Sequence, residues 1–409
     1  MAFAACLAVF DVTQASAEEL FAPETLSASI DLRMVAVDGE KSWVRDGFGK
    51  LRWGATGDGY RLRPHAVEGA LIWQPRFTWS LSGTAVVAAQ QGQEHAVDLQ
   101  EAFVTWKPLA GGSMRVSARA GLFWPPLSLE HQGAAWAVAD TVSPSAINSW
   151  IGEEVKVVGA EATLSRRLGE HEISATAAIF GFNDTAGTLL AFRGWALHDL
   201  KATAFGKHPL PPLNAFMTRA QAPDTRPVIE LDNRPGFYGR LLWRPPAPFT
   251  LQVLHYDNRG DPTAVRRGQW GWETRFTNIG AQLDLGERTK LLGQAMEGTT
   301  KMGFPSAGVY WVETRYRSAF LLASRKIGEG GLSARVDLFD TRNHGTRLNR
   351  DDDEKGWSLT GAWRTPLFDR AMLVIEAMHV ASDRRARGRS ALRPNQHQTA
   401  LQAALRLAL

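Results

Sequence analysis

Pairs of arginines are spaced four residues apart in two segments in which apolar and polar residues alternate. Arg115 and Arg119 share the polar face of one segment, and Arg240 and Arg244 share the polar face of another. No acidic residue lies between the two members of either pair on its face. A guanidinium stays charged at any working pH, and its planar fork of donors suits phosphate and carboxylate oxygens. These positions predict a surface that binds anions.

The polar faces of other alternating segments carry further arginines, and together they predict a basic wall around an aqueous interior. The predicted pore-lining residues are Arg115, Arg119, Arg240, Arg244, Arg315, Arg317 and Arg335. In a narrow pore with low-dielectric walls, such a wall favours anions because the field is focused there. Alternatively, each arginine pairs with a nearby acid, and the available acids include Asp31, Glu161, Glu313 and Asp337. Both interpretations stay open for any single arginine.

The segment 124–156 is a long connection in which acids outnumber the single Lys156. Its acids are Glu130, Asp140, Glu153 and Glu154. A loop of this length can fold back into the interior of a barrel. Facing a basic wall, its carboxylates would set a transverse electric field at the narrowest point. The segment is therefore the candidate constriction loop.

The elements that must hold these residues are β-strands, because apolar and polar residues alternate with a period of two along most of the chain. Leu332, Val336 and Leu338, for example, alternate with Ser333 and Asp337. No comparable helical period appears over any long window. Sixteen such segments occur, at about 26–36, 65–74, 77–89, 97–107, 114–123, 157–167, 172–182, 236–244, 249–258, 274–285, 289–298, 309–325, 331–340, 356–365, 370–382 and 399–409.

The connections between these segments alternate between short and long, and both termini fall on the short side. Bacterial outer-membrane barrels are built in this way, with an even number of strands, tight turns at one end and long loops at the other. The sequence therefore predicts an all-β protein, a transmembrane antiparallel β-barrel of about 16 strands with short periplasmic turns and long extracellular loops. Ile30, Leu81 and Val336 are assigned to the lipid face, and Ser80 is assigned to the interior.

Proline and tryptophan positions agree with a closed sheet in a membrane. All twenty prolines fall outside the predicted strands, as expected where every strand must donate to two neighbours. Tryptophans gather near the strand ends, the level of lipid head groups. Those beside short connections are Trp73, Trp79, Trp106, Trp243 and Trp363, and those beside long connections are Trp124, Trp272, Trp311 and Trp357.

The chain divides into a predicted signal peptide at 1–17, a periplasmic segment at 18–25 and the barrel at 26–409. The leader ends in Ala15-Ser16-Ala17, the small-x-small pattern of a cleavage site. The only cysteine, Cys6, lies in the leader, so the mature chain can form neither a disulfide nor a thiolate zinc site. The formal net charge of +4 is too mild to indicate a nucleic-acid partner. No cofactor and no metal are predicted.

Sequence signals for an enzyme are absent. The chain has no Gly-x-Ser-x-Gly elbow, phosphate-binding loop, dinucleotide fingerprint or His-Glu-x-x-His, and its ten histidines are dispersed. His255 and His379 lie in predicted strands and are interpreted as barrel residues. An exported soluble β-protein is the alternative for the fold, but many of the apolar faces consist of alanine and glycine rather than bulky core residues.

The stretch from Arg119 to Glu130, RAGLFWPPLSLE, resembles a segment of the phosphate-selective porin O and P superfamily. In that family a Gly-x-Phe strand end runs into a Pro-containing loop that ends near a Glu, and the sixteen-strand count is similar too. The resemblance implies a homotrimeric, passive, anion-preferring channel whose third outer loop folds into the lumen. The expected partners of such a barrel are outer-membrane lipid, lipopolysaccharide and small anionic or hydrophilic solutes. The family's basic phosphate ligands cannot be carried over to individual residues.

The expected function is a passive porin of the bacterial outer membrane that passes small hydrophilic solutes, with a preference for phosphate or organic anions. A substrate-specific channel for a sugar or organic acid, and a non-channel structural barrel, are the alternatives. The longest connection, 183–235, is expected to be an irregular surface loop, although it is long enough to cap the pore or contact a neighbouring subunit. Charge runs at 351–354 and 384–389 are expected to be solvated loop tips.

Overall fold

Sixteen antiparallel strands close into one barrel in the computed structural model, which describes residues 17–54, 62–109 and 112–409. The strand number and the closure confirm the predicted fold. The strands are β1 Leu26–Val37, β2 Arg63–Trp73, β3 Leu81–Gln90, β4 Asp98–Trp106, β5 Met114–Phe123, β6 Val157–Leu168, β7 His171–Gly181, β8 Gly236–Arg244, β9 Phe249–Asp257, β10 Glu273–Leu285, β11 Thr289–Met302, β12 Val312–Ile327, β13 Gly330–Asn343, β14 Glu354–Phe368, β15 Ala371–Asp383 and β16 Asn395–Ala408.

Each strand pairs with the next one along the chain, and the barrel closes where β16 pairs with β1. Leu32 lies opposite Leu405 at this seam, and the backbone N–H of Leu409 donates to the carbonyl of Ala28. Closure matters because a bilayer offers no hydrogen-bond partner to an unpaired strand edge. Together with the short turns and long loops described below, it identifies the chain as a bacterial outer-membrane barrel.

Eight long loops and seven short turns join the strands. The loops are L1 38–62, L2 91–97, L3 124–156, L4 182–235, L5 258–272, L6 303–311, L7 344–353 and L8 384–394. The α-helices are α1 Ala17–Leu20, α2 Ala146–Glu154, α3 Thr188–Phe192 and α4 Met217–Ala220. Short 3-10 helices cover Pro23–Thr25, Trp43–Arg45, Ala134–Trp136, Arg350–Asp352 and Arg385–Ser390. No helix in the described part of the chain is long and apolar enough to cross a membrane.

The predicted leader lies almost entirely outside the described residues. The segment that follows contains α1 and the first 3-10 helix, and it packs against the short-turn end of the barrel beside Trp73. The Trp73 indole N–H donates to the carbonyl of Leu20 at 2.8 Å, and the Trp73 ring stacks on Phe21. These contacts hold the start of β1 beside the end of β2.

The outer surface of the barrel is apolar through the middle of the strands. On β13, Leu332, Val336 and Leu338 are 52%, 40% and 58% exposed, whereas the alternate residues Ser333 and Asp337 are buried. This is the predicted strand phase. Tryptophans at the short-turn end also point outward, as a belt in the head-group layer requires. The exposed members are Trp79, Trp106, Trp243 and Trp363.

The second predicted tryptophan belt is wrong in most of its members. Trp124 and Trp272 are fully buried, and Trp311 packs against Phe216 and Trp270 among the loops. Only Trp357 of that set faces outward as an exposed ring. A tryptophan beside a long loop can follow the loop into the barrel, and the sequence does not distinguish this from a position at the lipid interface.

Several strand boundaries differ from the prediction, and they change the assignment of Ser80 and of two prolines. The β2–β3 turn covers residues 74–80 and contains Ser80, so Ser80 is not an interior strand position. Within it, the backbone N–H of Phe77 donates to the carbonyl of Leu81 at 2.9 Å. Two prolines lie inside barrel strands: Pro64 follows the first residue of β2, and Pro366 lies where the register of β14 shifts. A strand start and a bulge are the positions that tolerate a missing N–H donor.

The core of the molecule lies inside the barrel. Inward-facing aromatic residues surround α2, and the Trp150 ring makes edge contacts with Trp195, Phe276 and Tyr316 at centroid distances of 6.1, 5.5 and 5.2 Å. Loops L3 and L4 therefore fill much of the cross-section with packed side chains, and this filled interior is the candidate functional site.

Candidate functional site

The local geometry near the end of β5 requires a glycine. Gly121 has φ +140°, and a Cβ there would lie 2.1 Å from the carbonyl oxygen of Ala102 on the neighbouring strand. Loop L3 begins three residues later, after Phe123, and enters the lumen. Ser145 caps α2 by accepting a hydrogen bond from the Asn148 N–H, and every residue from 140 to 157 is buried. The segment predicted as the constriction loop thus lies inside the barrel.

A buried cluster of charges fixes L3 to the barrel wall on β13. Arg335 lies 3.2 Å from Glu130 and 2.9 Å from Asp337. Its guanidinium also donates to the carbonyls of Ser143 and Pro144 at 2.6 and 2.9 Å. Arg335 faces the interior as predicted, but it is fully buried, so it serves as an anchor for the loop instead of lining open water.

Glu130 completes this anchor from the side of the loop. Its carboxylate accepts hydrogen bonds from the Ser145 N–H at 3.0 Å, from the Ser145 hydroxyl at 2.5 Å and from the Asn148 amide at 2.5 Å. Asp140 makes a second anchor through Lys290 at 2.7 Å and Arg364 at 3.2 Å. These two of the four predicted loop acids are therefore paired with cations of the barrel wall, and neither projects a free charge.

Loop L4 enters the barrel as well, which corrects the expectation of a surface loop. All residues from 183 to 198 are buried. Arg193 forms a two-pronged ion pair with Glu153 of L3 at 2.9 and 2.5 Å, and the Nε2 atom of His198 lies 2.6 Å from the same carboxylate. Burial alone would raise the pKa of Glu153, but the charges of Arg193 and His198 hold it at about 2. The sequence pattern did not indicate that Glu153 of L3 would pair with Arg193 and His198 of L4, because only the residue types, and no spacing between them, point to such a contact.

Glu154, the next residue, has no such cation in the described contacts. Its carboxylate accepts hydrogen bonds from the Leu189 N–H at 2.8 Å and from the Trp150 indole at 2.6 Å. Burial raises the pKa of Glu154 to about 7, the Leu189 N–H opposes this, and the charge of Glu153 adds to it. Glu153 is therefore fully ionised near neutral pH, whereas Glu154 titrates in that range.

Salt bridges also hold the outer loops together. Glu354, at the start of β14, accepts the Trp195 N–H at 2.9 Å and pairs with Lys50 of L1. Arg389 of L8 binds Asp352 at 2.5 Å, and Arg387 pairs with Glu40. The two charge runs predicted as solvated tips thus lie against other loops, and part of each is buried.

A cavity of about 110 Å³ remains between L3, L4 and the wall formed by β1, β2 and β16. Its charged lining residues are Asp31, Arg33, Glu68, Asp199, Lys201 and Arg406. Arg33 bonds to Asp31 at 2.7 Å and to Asp199 at 2.5 Å, and Lys201 lies 2.6 Å from Glu68. Pockets for organic ligands are usually larger, roughly 300–1,000 Å³. The cavity therefore suits small ions, and sequence analysis missed the L4 part of its lining because it left that loop outside.

A basic surface opens toward water at the short-turn end of the barrel. It consists of inward-facing residues on the adjacent strands β5 to β8, and we call it the arginine ladder: Arg115, Arg119, Arg167, Arg240 and Arg244. The side chains of Arg115 and Arg244 are 55% and 51% exposed. Glu172 lies between them at 3.0 and 3.2 Å.

Two members of the ladder lie deeper and touch L3. Arg119 pairs with Glu161 at 2.9 Å and donates to the carbonyl of Trp124. Arg240 donates to the carbonyl of Pro126 at 2.6 Å. Both predicted arginine pairs therefore face the interior. Glu161 and Glu172, on the strands between the two pairs, partly offset the positive charge of the arginines. The sequence pattern of a single strand does not show these neighbours.

Arg315 and Arg317 lie on the outer surface of the barrel and not in the pore, which corrects their assignment. They alternate with Thr314, Tyr316 and Ser318, which are buried. Arg317 binds Asp340 on the outside at 2.8 Å. Strand β12 is 16 residues long and extends beyond the apolar band of the membrane. At that height the outward-facing side chains are polar and the inward-facing ones include the aromatic ring of Tyr316. This is the reverse of the distribution within the apolar band, where the outward-facing side chains are apolar.

Comparison with known proteins shows the fold of outer-membrane porins. No protein-family model matches the sequence, and no curated protein matches it. Among solved structures, the outer membrane channel DcaP of Acinetobacter baumannii has a TM-score of 0.59 at 8% identity, covering 94% of this chain and 96% of that chain. The anion-selective porin from Comamonas acidovorans has a TM-score of 0.53 at 13% identity, covering 94% and 99%. OmpTdeltaL8, a loop L8 deletion mutant of OmpT from Vibrio cholerae, has a TM-score of 0.51 at 7% identity over 94% and 99%.

Proposed function

We propose that this chain is a passive channel of the outer membrane that passes small anions. The observation that carries the proposal is the arginine ladder, in which five inward-facing arginines on β5 to β8 are opposed by Glu161 and Glu172. A net positive, water-exposed surface at the mouth of a low-dielectric barrel raises the local concentration of anions. Exchange of hydration water for guanidinium contacts then supports passage, provided that binding stays weak enough for release.

The filled lumen makes the proposed channel narrow. Loops L3 and L4 occupy the cross-section, and the charged cavity beside them has a volume of about 110 Å³. This size favours inorganic ions and the smallest carboxylates over sugars. Phosphate is the finer candidate, in line with the resemblance of residues 119–130 to the phosphate-selective porin O and P superfamily. We assign no enzymatic role, because a passive channel requires none and the sequence carries no catalytic motif.

Ion conductance in a planar bilayer tests the proposal. We expect the purified full-length chain to give a small steady conductance, and its reversal potential under a KCl gradient should show anion preference. A reversal potential of the opposite sign would reject the proposed anion preference but would still support a channel. A correctly folded barrel with no conductance would reject the channel and support a structural barrel.

We also propose that the chain assembles as a homotrimer. A groove of about 530 Å³ runs along the outer surface of β3 to β7, and its floor contains Ala118, Ala120, Ala160, Ala162 and Ala177. Small residues allow the backbone of a neighbouring subunit to approach closely within a bilayer. Mass measurement in detergent tests the assembly. Replacement of Ala120 by Trp should yield monomers, whereas Ala334→Trp on the opposite wall should leave the trimer intact.

A further inference from the structure

The cavity between L3, L4 and the barrel wall has two chemically different sides. The wall and L4 supply its six charged residues, and L3 supplies uncharged side chains such as Trp136 and Asn148. The lining reaches the short-turn end of the barrel, since it includes Ser29 near the start of β1 and Leu407 near the end of β16. The two sides therefore impose separate requirements on a bound solute.

The charges of the wall and of L4 are already paired. The pairs are Arg33 with Asp31 at 2.7 Å, Arg33 with Asp199 at 2.5 Å, Arg406 with Asp31 at 3.3 Å and Lys201 with Glu68 at 2.6 Å. Asp199 also binds Arg52, a cation outside the lining, at 3.0 Å. Breaking a buried pair is costly. The size of the cavity admits ions and small neutral molecules alike, but the described lining residues leave an entering ion no unpaired charge.

Two buried polar atoms on the L3 side have no hydrogen-bond partner among the described residues. They are the Nε1 donor of Trp136 and the Oδ1 acceptor of Asn148. The Nδ2 atom of Asn148 donates to Glu130 at 2.5 Å and to Gln294 at 3.0 Å, so these two acceptors fix which end of the amide is unpaired. A buried polar atom without a partner costs free energy, so one donor and one acceptor together indicate a binding site.

The unpaired donor and acceptor lie along one face of α2. The Trp136 ring is held between the rings of Trp124 and His131, at centroid distances of 5.0 and 4.2 Å. A Cβ at Gly152 would lie 3.2 Å from the Nε1 atom of Trp136, so this donor lies beside Gly152. Asn148 precedes Gly152 by four residues, one turn or about 6 Å along the helix. The donor and the residue that carries the acceptor are therefore about one helical turn apart.

We propose that the cavity binds a small neutral amide of the size of acetamide or urea. An amide carries a carbonyl acceptor for the Trp136 indole and N–H donors for the Asn148 oxygen. The volume of about 110 Å³ is several times the ~10–15 Å³ that one water requires. A carboxylate of the same shape lacks the N–H donor and brings a charge without a free partner. The inference goes beyond the proposed passage of anions and does not depend on conduction through the barrel.

Saturation-transfer NMR of the full-length chain in detergent tests this, with acetamide as the probe and its methyl signal as the readout. Acetate is the matched competitor, because it has nearly the same size and shape but carries a charge and no N–H donor. Acetamide should bind saturably, and excess acetate should not displace it, even where acetate binds the exposed arginine ladder. Displacement by acetate would overturn the proposal and indicate an anion site in the cavity. The lack of a saturable acetamide signal would overturn it as well.

Two variants place the binding in this cavity. Trp136→Phe keeps the ring but removes the donor, and it should weaken acetamide binding about fivefold, the effect of one lost hydrogen bond. Its matched control is Trp272→Phe, because Trp272 is also buried with an Nε1 atom that has no described partner, but it does not line the cavity. The control should bind like wild type.

Gly152→Ala tests the site independently if Trp136→Phe does not fold. The added methyl group would lie 3.2 Å from the Nε1 atom of Trp136 and should block acetamide there. Heat-dependent gel mobility establishes folding in each sample. Wild-type affinity in folded Trp136→Phe or in folded Gly152→Ala would overturn the proposal, as would an equal loss in Trp272→Phe.

Discussion

The guanidinium of Arg335 on the barrel wall lies 3.2 Å from the carboxylate of Glu130 in loop L3. Both side chains are almost completely buried, and Asp337 on the same strand shares the cation at 2.9 Å. This contact ties loop L3 to a strand about two hundred residues further along the chain. A buried charge cluster therefore holds loop L3 against the barrel wall.

Replacing Arg335 by Met should destabilise the barrel and loosen L3. The substitution keeps most of the volume but leaves two buried carboxylates without their cation, which typically costs about 3–5 kcal/mol. Denaturant unfolding in detergent should show that loss, and single-channel recordings should show a larger and noisier conductance because the loop is free to move.

Arg317→Met is the matched control for Arg335→Met. Arg317 also binds an aspartate, but it lies on the outer surface with a 45% exposed side chain. Exposed pairs contribute about 0–1 kcal/mol, so its unfolding curve and conductance should stay close to wild type. Equal effects of the two substitutions would contradict the assignment of Arg335 as the loop anchor.

Glu153→Gln should destabilise the protein much more than Glu154→Gln at pH 8. Glu153→Gln leaves Arg193 buried beside an uncharged partner, and we expect a loss of about 3–5 kcal/mol. Glu154→Gln should be tolerated better, because wild-type Glu154 must ionise in a buried site above its pKa of about 7. Unfolding temperatures measured by the change in gel mobility compare the two.

The pH dependence of Glu154 has a defined sign. Its pKa is about 7 in the folded protein and about 4.3 in an unfolded chain. The unfolded chain binds fewer protons between these values, so the contribution of Glu154 to stability is complete below the lower value and is lost as the pH rises through 7. Glu154→Gln should remove this part of the decline between pH 5 and pH 8. An unchanged decline would contradict the raised pKa.

Val336→Arg should cost stability, whereas Ser117→Arg should not. Val336 faces the lipid near the middle of the apolar band of β13, where an arginine costs about 2–4 kcal/mol. Ser117 lies between Arg115 and Arg119 on the inner face of β5, next to water. Folding efficiency into lipid vesicles at increasing urea measures both. A loss for Ser117→Arg equal to that for Val336→Arg would mean that the two faces are assigned wrongly.

The barrel was predictable because it depends on a local pattern. Apolar and polar residues alternate with a period of two within the strands. A barrel in which each strand pairs with the next can therefore be recognised from the sequence of each strand alone, without knowledge of contacts between distant residues. The orientation of Arg115 and Arg240 follows from it. The orientation of Arg315 does not, because it depends on how far β12 extends beyond the apolar band.

The interior was predictable only in part. The acids of L3 indicated a loop directed at a basic wall, but the ion pair of Glu153 with Arg193 joins two loops whose separation in sequence gives no periodic signal. The same holds for the L4 side chains beside the cavity, such as Asp199. Such contacts depend on how irregular segments pack. The sequence shows which residue types these segments contain, but no regular spacing indicates which of them will meet.

Anion selectivity should depend on Arg115 and Arg244 at the mouth of the barrel. Both are about half exposed, and Glu172 lies between them. In the double variant R115A/R244A the anion-over-cation permeability ratio should fall by about twofold for each charge removed, since an exposed charge interacts by only ~0.5 kcal/mol. Glu172→Gln should raise the ratio, because it frees both arginines. Arg317→Ala on the outer surface should leave it unchanged.

The measurement is the reversal potential under a KCl gradient, at low ionic strength where screening is weakest. If R115A/R244A and Glu172→Gln shift the potential in the same direction, or if Arg317→Ala shifts it as much, the arginine ladder does not select the permeating ion.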